Sequence, residues 1–322
     1  MAGMIPDNPN STFDAPANGD RLDRMVTDHL GESWTRSQVQ ALFRDGRVTL
    51  NGQTAKPGWK PKGGEPIVVT FPPPPDAAAQ TVLPEAIPLD VVYEDDDLAV
   101  LLKPAGLVVH PGAGNRDHTL VNAILEHYPE IADMRVAPQR RGIVHRLDKD
   151  TSGLILVARK GKALQRLMTQ FQQRTVEKTY LALAEKAPKT PTGRIELPIQ
   201  RDPAHRQKMM ISRAGRTAIT EFRTLESFND GSALLEVNLL TGRTHQIRVH
   251  LAYIGAPLVG DRVYGFRKSK RGPGRQFLHA ARLCFDQPTT GERLCFEAPL
   301  PPDLTRYLDD LRHSGPSHTA HR

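Results

Sequence analysis

The sequence predicts an α+β fold in which helices flank a mixed, mainly antiparallel central sheet, and three observations carry that expectation. Between about Leu89 and Leu311, short apolar runs are broken irregularly by amphipathic segments, without the regular strand-helix-strand succession of a parallel sheet. A proline-rich stretch after Phe71 sets this region apart from a smaller unit upstream. A hydrophobic share of 39% over 322 residues suffices for one large core and one smaller one.

Residues 1–18, rich in Asn, Pro, Ala and Asp, have no hydrophobic period and read as a disordered tail, as does 313–322. Within the small unit 19–71, LDRMVTDHL predicts one helix and TRSQVQALFRDG a second, while RVTLNGQ and EPIVVTF predict strands. The second helix has clear ends: Thr35 with Gln38 fits a capping box, Val39, Leu42 and Phe43 make an apolar face, and Gly46 suits the stop. Its other face carries Arg36 and Arg44, with Arg21, Arg24 and Arg47 nearby. Residues 72–88 follow as an interdomain linker, and 89–312 as the larger domain. There LAVLLK, GLILVAR, KTYLALA, ALLEVNLL and ARLCF predict strands. Leu164, Leu167, Met168 and Phe171 mark one helix, Ile247, Leu251 and Ile254 a second, and Leu304, Tyr307, Leu308 and Leu311 a third.

Charge and composition bound the function. A net charge of +7 with a pI near 9.5 favours polyanion partners such as nucleic acid. No basic, apolar leader opens the sequence and no window approaches 18 uninterrupted apolar residues, so neither secretion nor membrane spanning is expected. Cys284 and Cys295, the only two cysteines, cannot supply a disulfide framework or a thiolate zinc cage, which points to a reducing, cytoplasmic setting. A monomer is expected.

The densest polar cluster, Arg140 to Gly153, ends directly in the apolar strand LILVA. Asp148 sits there among Arg146 and Lys149, which favour a charged carboxylate able to attack carbon. On charge pattern alone, a plain ion pair with Arg146 or a turn cap fits Asp148 at least as well. A second cluster, Leu240 to His250, runs from the end of one strand through a glycine turn into a helix start, a natural anion site. Arg243 lies in that turn, and His245 and Arg248 share a helix face away from the apolar residues, within reach of a carboxylate or phosphate. His245 and His250 lack the spacing of a zinc helix and have no acidic third ligand close by, so no metal is expected. Strand alternation puts Lys178, Tyr180 and Ala182 on one face, where Tyr180 fits a cleft or an ordinary core position equally well. Arg267, Lys268, Lys270, Arg271 and Arg275 crowd five cations into a glycine-rich loop suited to tracking a polyanion.

At HRLDKDTSGLILVARK the chain resembles the RluA/RluD family of RNA pseudouridine synthases. PLDVVYEDDDLAVLLKPAGLVVHPGAG, EKTYLAL, LLTGRTHQIRVHLAYIGAPLVGD, YG and QFLHAARL resemble the family's other blocks in the expected order, covering nearly all of 88–300. Residues 19–71 resemble the alpha-L (S4-like) RNA-binding module, a combination similar to the branch that acts on large-subunit ribosomal RNA. The resemblance implies a pseudouridine synthase fold and an isomerase. Asp148 would be the catalytic carboxylate and Arg248 its partner, Tyr180 would stack on uracil and assist proton removal, and Arg146 would help displace the base.

Uridine isomerisation needs no metal or cofactor. It needs a carboxylate beside the sugar, a cation to pair it, an aromatic platform and a way to extrude a nucleotide. The implied partner is large-subunit ribosomal RNA, free or in an assembling particle. A non-catalytic ribosome-assembly factor would account for the basic module equally well but gives Asp148 no task. A zinc base deaminase needs a Cys-x-x-Cys that is absent here. A metal-free ribonuclease using His245 and His250 would cleave its RNA.

Overall fold

The computed structural model describes residues 10–17, 19–31, 36–71, 82–112, 114–134, 136–205, 207–269 and 271–313. Most of the expected linker and nearly all of the expected C-terminal tail lie outside the described residues. The chain divides into two compact units, Met1–Leu83 with Ala132–Arg141, and Pro84–Ile131 with Gly142–Arg322.

In the first unit, strand β1 (Asn10–Asp14) precedes helices α1 (Leu22–Leu30) and α2 (Arg36–Arg44) and strands β2 (Val48–Leu50), β3 (Gln53–Thr54) and β4 (Pro66–Thr70). The strands form an antiparallel sheet in the order β1-β4-β2-β3. The Asn51-Gly52 corner between β2 and β3 has positive φ at both residues, the geometry a tight hairpin needs. Leu22, Met25 and Val26 of α1 meet Val39, Leu42 and Phe43 of α2 over Val48, Ile67 and Val69. The chain turns out of α2 at Gly46 (φ +67), where the Arg47 amide donates to the Leu42 carbonyl. Thr35 and the side chain of Gln38, which carry the expected cap, lie outside the described residues, as does the side chain of Arg36.

Strand β1 corrects the expectation of a tail through residue 18. Asn10–Asp14 pairs with Pro66–Thr70, and Phe13 packs on the core and stacks on His29 at 3.8 Å between ring centroids. One aromatic in five residues gives no periodic signal, so composition alone concealed the strand.

The second unit contains β5 (Val91–Glu94), β6 (Leu98–Lys103), α3 (Leu120–His127), β7 (Ser152–Ala158), α4 (Gly161–Gln173) and β8 (Glu177–Ala184). After these come β9 (Thr192–Glu196), β10 (Ile199–Arg201), β11 (Met209–Ile211), β12 (Ile219–Ser227), β13 (Ala233–Leu239), α5 (Gln246–Tyr253), β14 (Leu278–Asp286), β15 (Arg293–Glu297) and α6 (Pro302–His313). The main sheet runs β5-β6-β7-β14-β8-β13-β12-β9, with β15 also on β14, and β10 pairs with β11 separately. Among the described strands only β7 and β14 are parallel neighbours, so the fold is α+β with a mixed, mainly antiparallel sheet. Every residue of β7 is buried, as the unbroken apolar run SGLILVA requires.

Cys284 on β14 and Cys295 on β15 stand directly opposite, 4.2 Å between Cα atoms, and are bonded as a disulfide. Spacing alone gives no hint of this bridge, because only strand register brings the two sulfurs together. Helix α5 also departs from expectation: Gln246 through Leu251 are all buried, whereas spacing assigned only Ile247, Leu251 and Ile254 to the core.

Candidate active site

The polar run before β7 is held closely. The Gly142 carbonyl accepts the Ala158 amide at 2.8 Å, Ile143 bridges Val157, and the Leu156 amide donates to His145 Nε2 at 2.9 Å. The segment therefore runs back along β7 before turning at Asp148. His145 stacks on Phe171 of α4, 4.9 Å between centroids. Burial, aided by the Lys178 charge, pushes this imidazole down to about 3, so the ring is neutral and Nε2 is free to accept.

Lys103, at the end of β6, pins the other side of the turn. Its buried Nζ donates to the carbonyls of Pro104 at 2.7 Å, Leu107 at 2.8 Å and Lys149 at 3.0 Å, which matches the three protons of an ammonium. Burial pushes the group down to about 7 against the pull of Asp150 and Asp148. Where β7 begins, Gly153 (φ +121) lies against β14: a Cβ there would sit 2.3 Å from the Ala280 carbonyl oxygen.

These anchors aim Asp148 at Arg248 of α5. Arg248 Nη1 donates to Asp148 Oδ2 at 3.2 Å, while its Nε and Nη2 grip Asp261 at 2.7 and 2.9 Å. Asp261 has no exposed side-chain surface and also accepts the amides of Val263 at 2.9 Å and Tyr264 at 3.0 Å. Burial opposes charge on Arg248, but the hydrogen bonds and fields of Asp261 and Asp148 outweigh it and raise its pKa. Burial likewise opposes the Asp261 charge, and Arg248 overcomes it, so Asp261 stays below the usual carboxylate range. Asp148 is the accessible member of the trio, with 16% of its side chain exposed against 7% for Arg248.

Asp148, Arg146, Tyr180, Arg243, His245 and Arg248 all line one cleft of about 470 Å³, a volume suited to a small ligand or an extruded base. Tyr180 projects from β8, and burial first, then the Asp148 charge, hold its hydroxyl above the usual phenol range. It therefore stays protonated beside the carboxylate. Leu147 and Ile247 complete the wall. His245 caps α5 in a left-handed conformation (φ +56) with Nδ1 2.8 Å from the Tyr264 hydroxyl, which accepts the Met209 amide. His250 uses both ring nitrogens within the protein, on Thr220 Oγ1 at 2.8 Å and the Leu197 carbonyl at 3.0 Å.

A model of the RNA pseudouridylate synthase family matches residues 97–253. RNA pseudouridine synthase YlyB of Bacillus subtilis is 44% identical over 92% of this chain and 95% of its own length. The chain belongs to the RNA pseudouridine synthases. The family's enzymes are isomerases. Ribosomal large subunit pseudouridine synthase D of Vibrio parahaemolyticus is 41% identical over 91% of each chain. The solved structure of human RNA Pseudouridylate Synthase Domain Containing 1 aligns at 26% identity, covering 71% of this chain and 97% of its own, with a TM-score of 0.54. Residues 20–67 match an S4 domain, so the first unit carries the RNA-binding module expected from sequence.

The four residues assigned to the chemistry, Asp148, Tyr180, Arg248 and Arg146, thus meet in one cleft, joined by Arg243 and His245. The expected RNA-contacting cations are more dispersed. Arg21 pairs with buried Asp23 at 3.0 Å, Arg24 faces Asp20 and Asp28 at 3.7 and 3.9 Å, and Arg44 is exposed. Arg47 donates to the Phe71 carbonyl at 3.4 Å. In the basic loop Arg267 and Lys268 are exposed and Lys270 lies outside the described residues. Arg271 pairs with Asp230. Arg275 ties Asp303 at 2.7 Å to the Asp150 carbonyl at 3.0 Å and Ser152 Oγ at 3.2 Å. The last two cations therefore brace the fold.

Sequence reasoning missed Asp261, Lys103 and His145. Lys103 carried a signal, a lone cation closing the apolar strand LAVLLK before Pro-Ala-Gly. Asp261 carried only its place in the turn VGDRVYG, which says nothing of the Arg248 it holds from 13 positions away.

Proposed function

We propose that this enzyme isomerises specific uridines of large-subunit ribosomal RNA to pseudouridine, using the Asp148 carboxylate and neither metal nor organic cofactor. The observation that carries this reading is the Asp148–Arg248 hydrogen bond of 3.2 Å on the wall of a cleft that also holds Tyr180. The reaction breaks the bond between base nitrogen and anomeric carbon, turns the base, and rejoins it through carbon 5, with no redox change and no hydrolysis. Asp148 acts beside the sugar, paired by Arg248, whose geometry is fixed by Asp261. Tyr180 stacks on the extruded uracil, and its protonated hydroxyl relays the carbon-5 proton by releasing its own hydrogen as it accepts that one. Arg146, exposed at the rim, fills the gap that the base leaves in its stack.

Relatives named for the ribosomal large subunit, at 41% identity over nine-tenths of the chain, support that RNA as substrate. The S4 domain and the cations Arg21, Arg24, Arg36, Arg44, Arg47, Arg267 and Lys268 supply non-sequence-specific phosphate contacts. The enzyme acts as a cytoplasmic monomer; no helix among the described residues is long and apolar enough to cross a membrane. Tritium release from carbon-5-labelled uridine in large-subunit transcripts, followed by mapping of the modified positions, tests this reading. Release above background supports it, and strand scission or no release refutes it.

A further inference from the structure

The mouth of the cleft gathers three arginines from three separate elements. Arg174 ends α4, Arg216 lies in the turn between β11 and β12, and Arg243 lies in the turn between β13 and α5; all three line the cleft. Among the described residues, no carboxylate lies within 4 Å of any of them. Glu196 and Glu221 stand on the opposite face of the sheet, where Arg194 takes both, at 3.3 and 2.8 Å. Partial burial and the fields of Arg216 and Arg174 together pull the Arg243 guanidinium below its ordinary range. The three charges therefore repel one another with no acid to relieve them, an arrangement that an incoming anion stabilises.

Arg174 adds a second, independent observation. It occupies the C-cap of α4 at φ +64, ψ +29, the left-handed position where glycine is the usual residue. The chain accepts an arginine in a conformation that disfavours it, which places a long cation over the cleft mouth at the expense of local backbone strain.

We infer that Arg174, Arg216 and Arg243 form a phosphodiester clamp, gripping the RNA backbone on either side of the uridine extruded towards Asp148. The inference rests on the proposed reaction for the identity of the anion. A base drawn into the cleft brings its own flanking phosphates to the rim, where guanidinium groups bind them bidentately. Such contacts position the RNA without reading its sequence, so the clamp serves every target uridine alike.

The test is equilibrium binding of an unmodified large-subunit ribosomal RNA transcript at several salt concentrations, with tritium release measured in parallel. The triple variant Arg174→Gln, Arg216→Gln, Arg243→Gln is expected to flatten the slope of log affinity against log salt by about 2, roughly 0.7 for each phosphate left unneutralised. Its KM rises at least ~10-fold while kcat changes little, since these arginines hold the phosphates before and during the chemical step alike. The corresponding triple lysine variant recovers most of the slope, which a purely structural role would not allow. Arg174→Gly keeps or raises the melting temperature, because glycine relieves the positive φ, yet the slope falls by about 0.7. An unchanged slope in the glutamine variant, with wild-type turnover intact, overturns the clamp and leaves the proposed reaction standing. A wild-type protein that binds with the full slope but releases no tritium refutes the reaction and leaves the clamp standing.

Discussion

Asp148 and Asp261 share one guanidinium: Arg248 holds the first at 3.2 Å through Nη1 and the second at 2.7 and 2.9 Å through Nε and Nη2. The two carboxylates differ in setting. Asp261 is fully buried and saturated by Arg248 and two backbone amides, whereas Asp148 keeps an exposed edge in the cleft. In the proposed reaction Asp261 is a positioning residue, and Asp148 is the group that meets the nucleotide.

Removing Asp261 leaves the buried Arg248 with only its single 3.2 Å contact to Asp148. Asp261→Ala is expected to lower unfolding free energy by about 3–5 kcal/mol, the usual cost of breaking a buried pair from one side. The milder Asp261→Asn keeps the shape and should lower kcat with KM nearly constant. Urea unfolding and steady-state tritium release measure the two effects, and wild-type kcat in the asparagine variant would show the Asp261 clasp to be idle.

Tyr180 allows its ring and its hydroxyl to be separated. Burial and the Asp148 charge keep the hydroxyl protonated across the physiological range. Tyr180→Phe should preserve RNA affinity and lower kcat by roughly 10²–10⁴, the range for removing a general acid or base. Tyr180→Ala should also abolish the base-stacking platform. A phenylalanine variant with wild-type kcat would confine the residue to stacking.

Buried neutral histidines make the fold acid-sensitive. His279 lies between Ser152 Oγ at 2.9 Å and the Ala298 carbonyl at 3.3 Å, and burial pushes it down to about 4; His145 is pushed to about 3. Both folded values lie below the unfolded value of about 6.5, so the unfolded chain gains protons first as pH falls. Their contribution is fully present above pH 6.5 and is lost progressively towards pH 4. By pH 5 each should have given up about 2 kcal/mol. Urea titrations at pH 7 and 5 check this; His279→Gln should reduce the difference by about that amount, and an equal pH dependence in wild type and variant would contradict it.

Gly153 sets the distance between β7 and β14. A side chain there would meet the Ala280 carbonyl oxygen at 2.3 Å from a backbone at φ +121. Gly153→Ala should destabilise by about 2 kcal/mol or more and displace the Asp148 turn. A variant with unaltered melting temperature and turnover would show that the strands separate freely.

The strands of the larger unit were legible because burial on both faces writes itself as unbroken apolar runs: LAVLLK and SGLILVA are β6 and β7. Val39, Leu42 and Phe43 likewise announced the core face of α2. Asp148 stood out through the charge around it, and family resemblance supplied its partner. Contacts made by register or by long-range approach left no local trace. Cys284 meets Cys295 through the β14–β15 pairing, Phe13 holds its strand by packing on a distant core, and Asp261 meets Arg248 from the turn beyond α5. No periodicity encodes such meetings. Arg271 and Arg275 show the converse: within a run of cations that reads as a polyanion track, these two also hold Asp230, Asp303 and Asp150 in place.

The most direct test replaces one oxygen of one side chain. Asp148→Asn keeps the size of the residue and its acceptor toward Arg248 but removes the negative charge. Incubated with carbon-5-tritiated large-subunit transcript, the folded variant should bind RNA as the wild type does and release no tritium above background. Release at a rate within about tenfold of the wild type, a barrier change of under ~1.4 kcal/mol, would contradict the assignment of Asp148 to the chemistry.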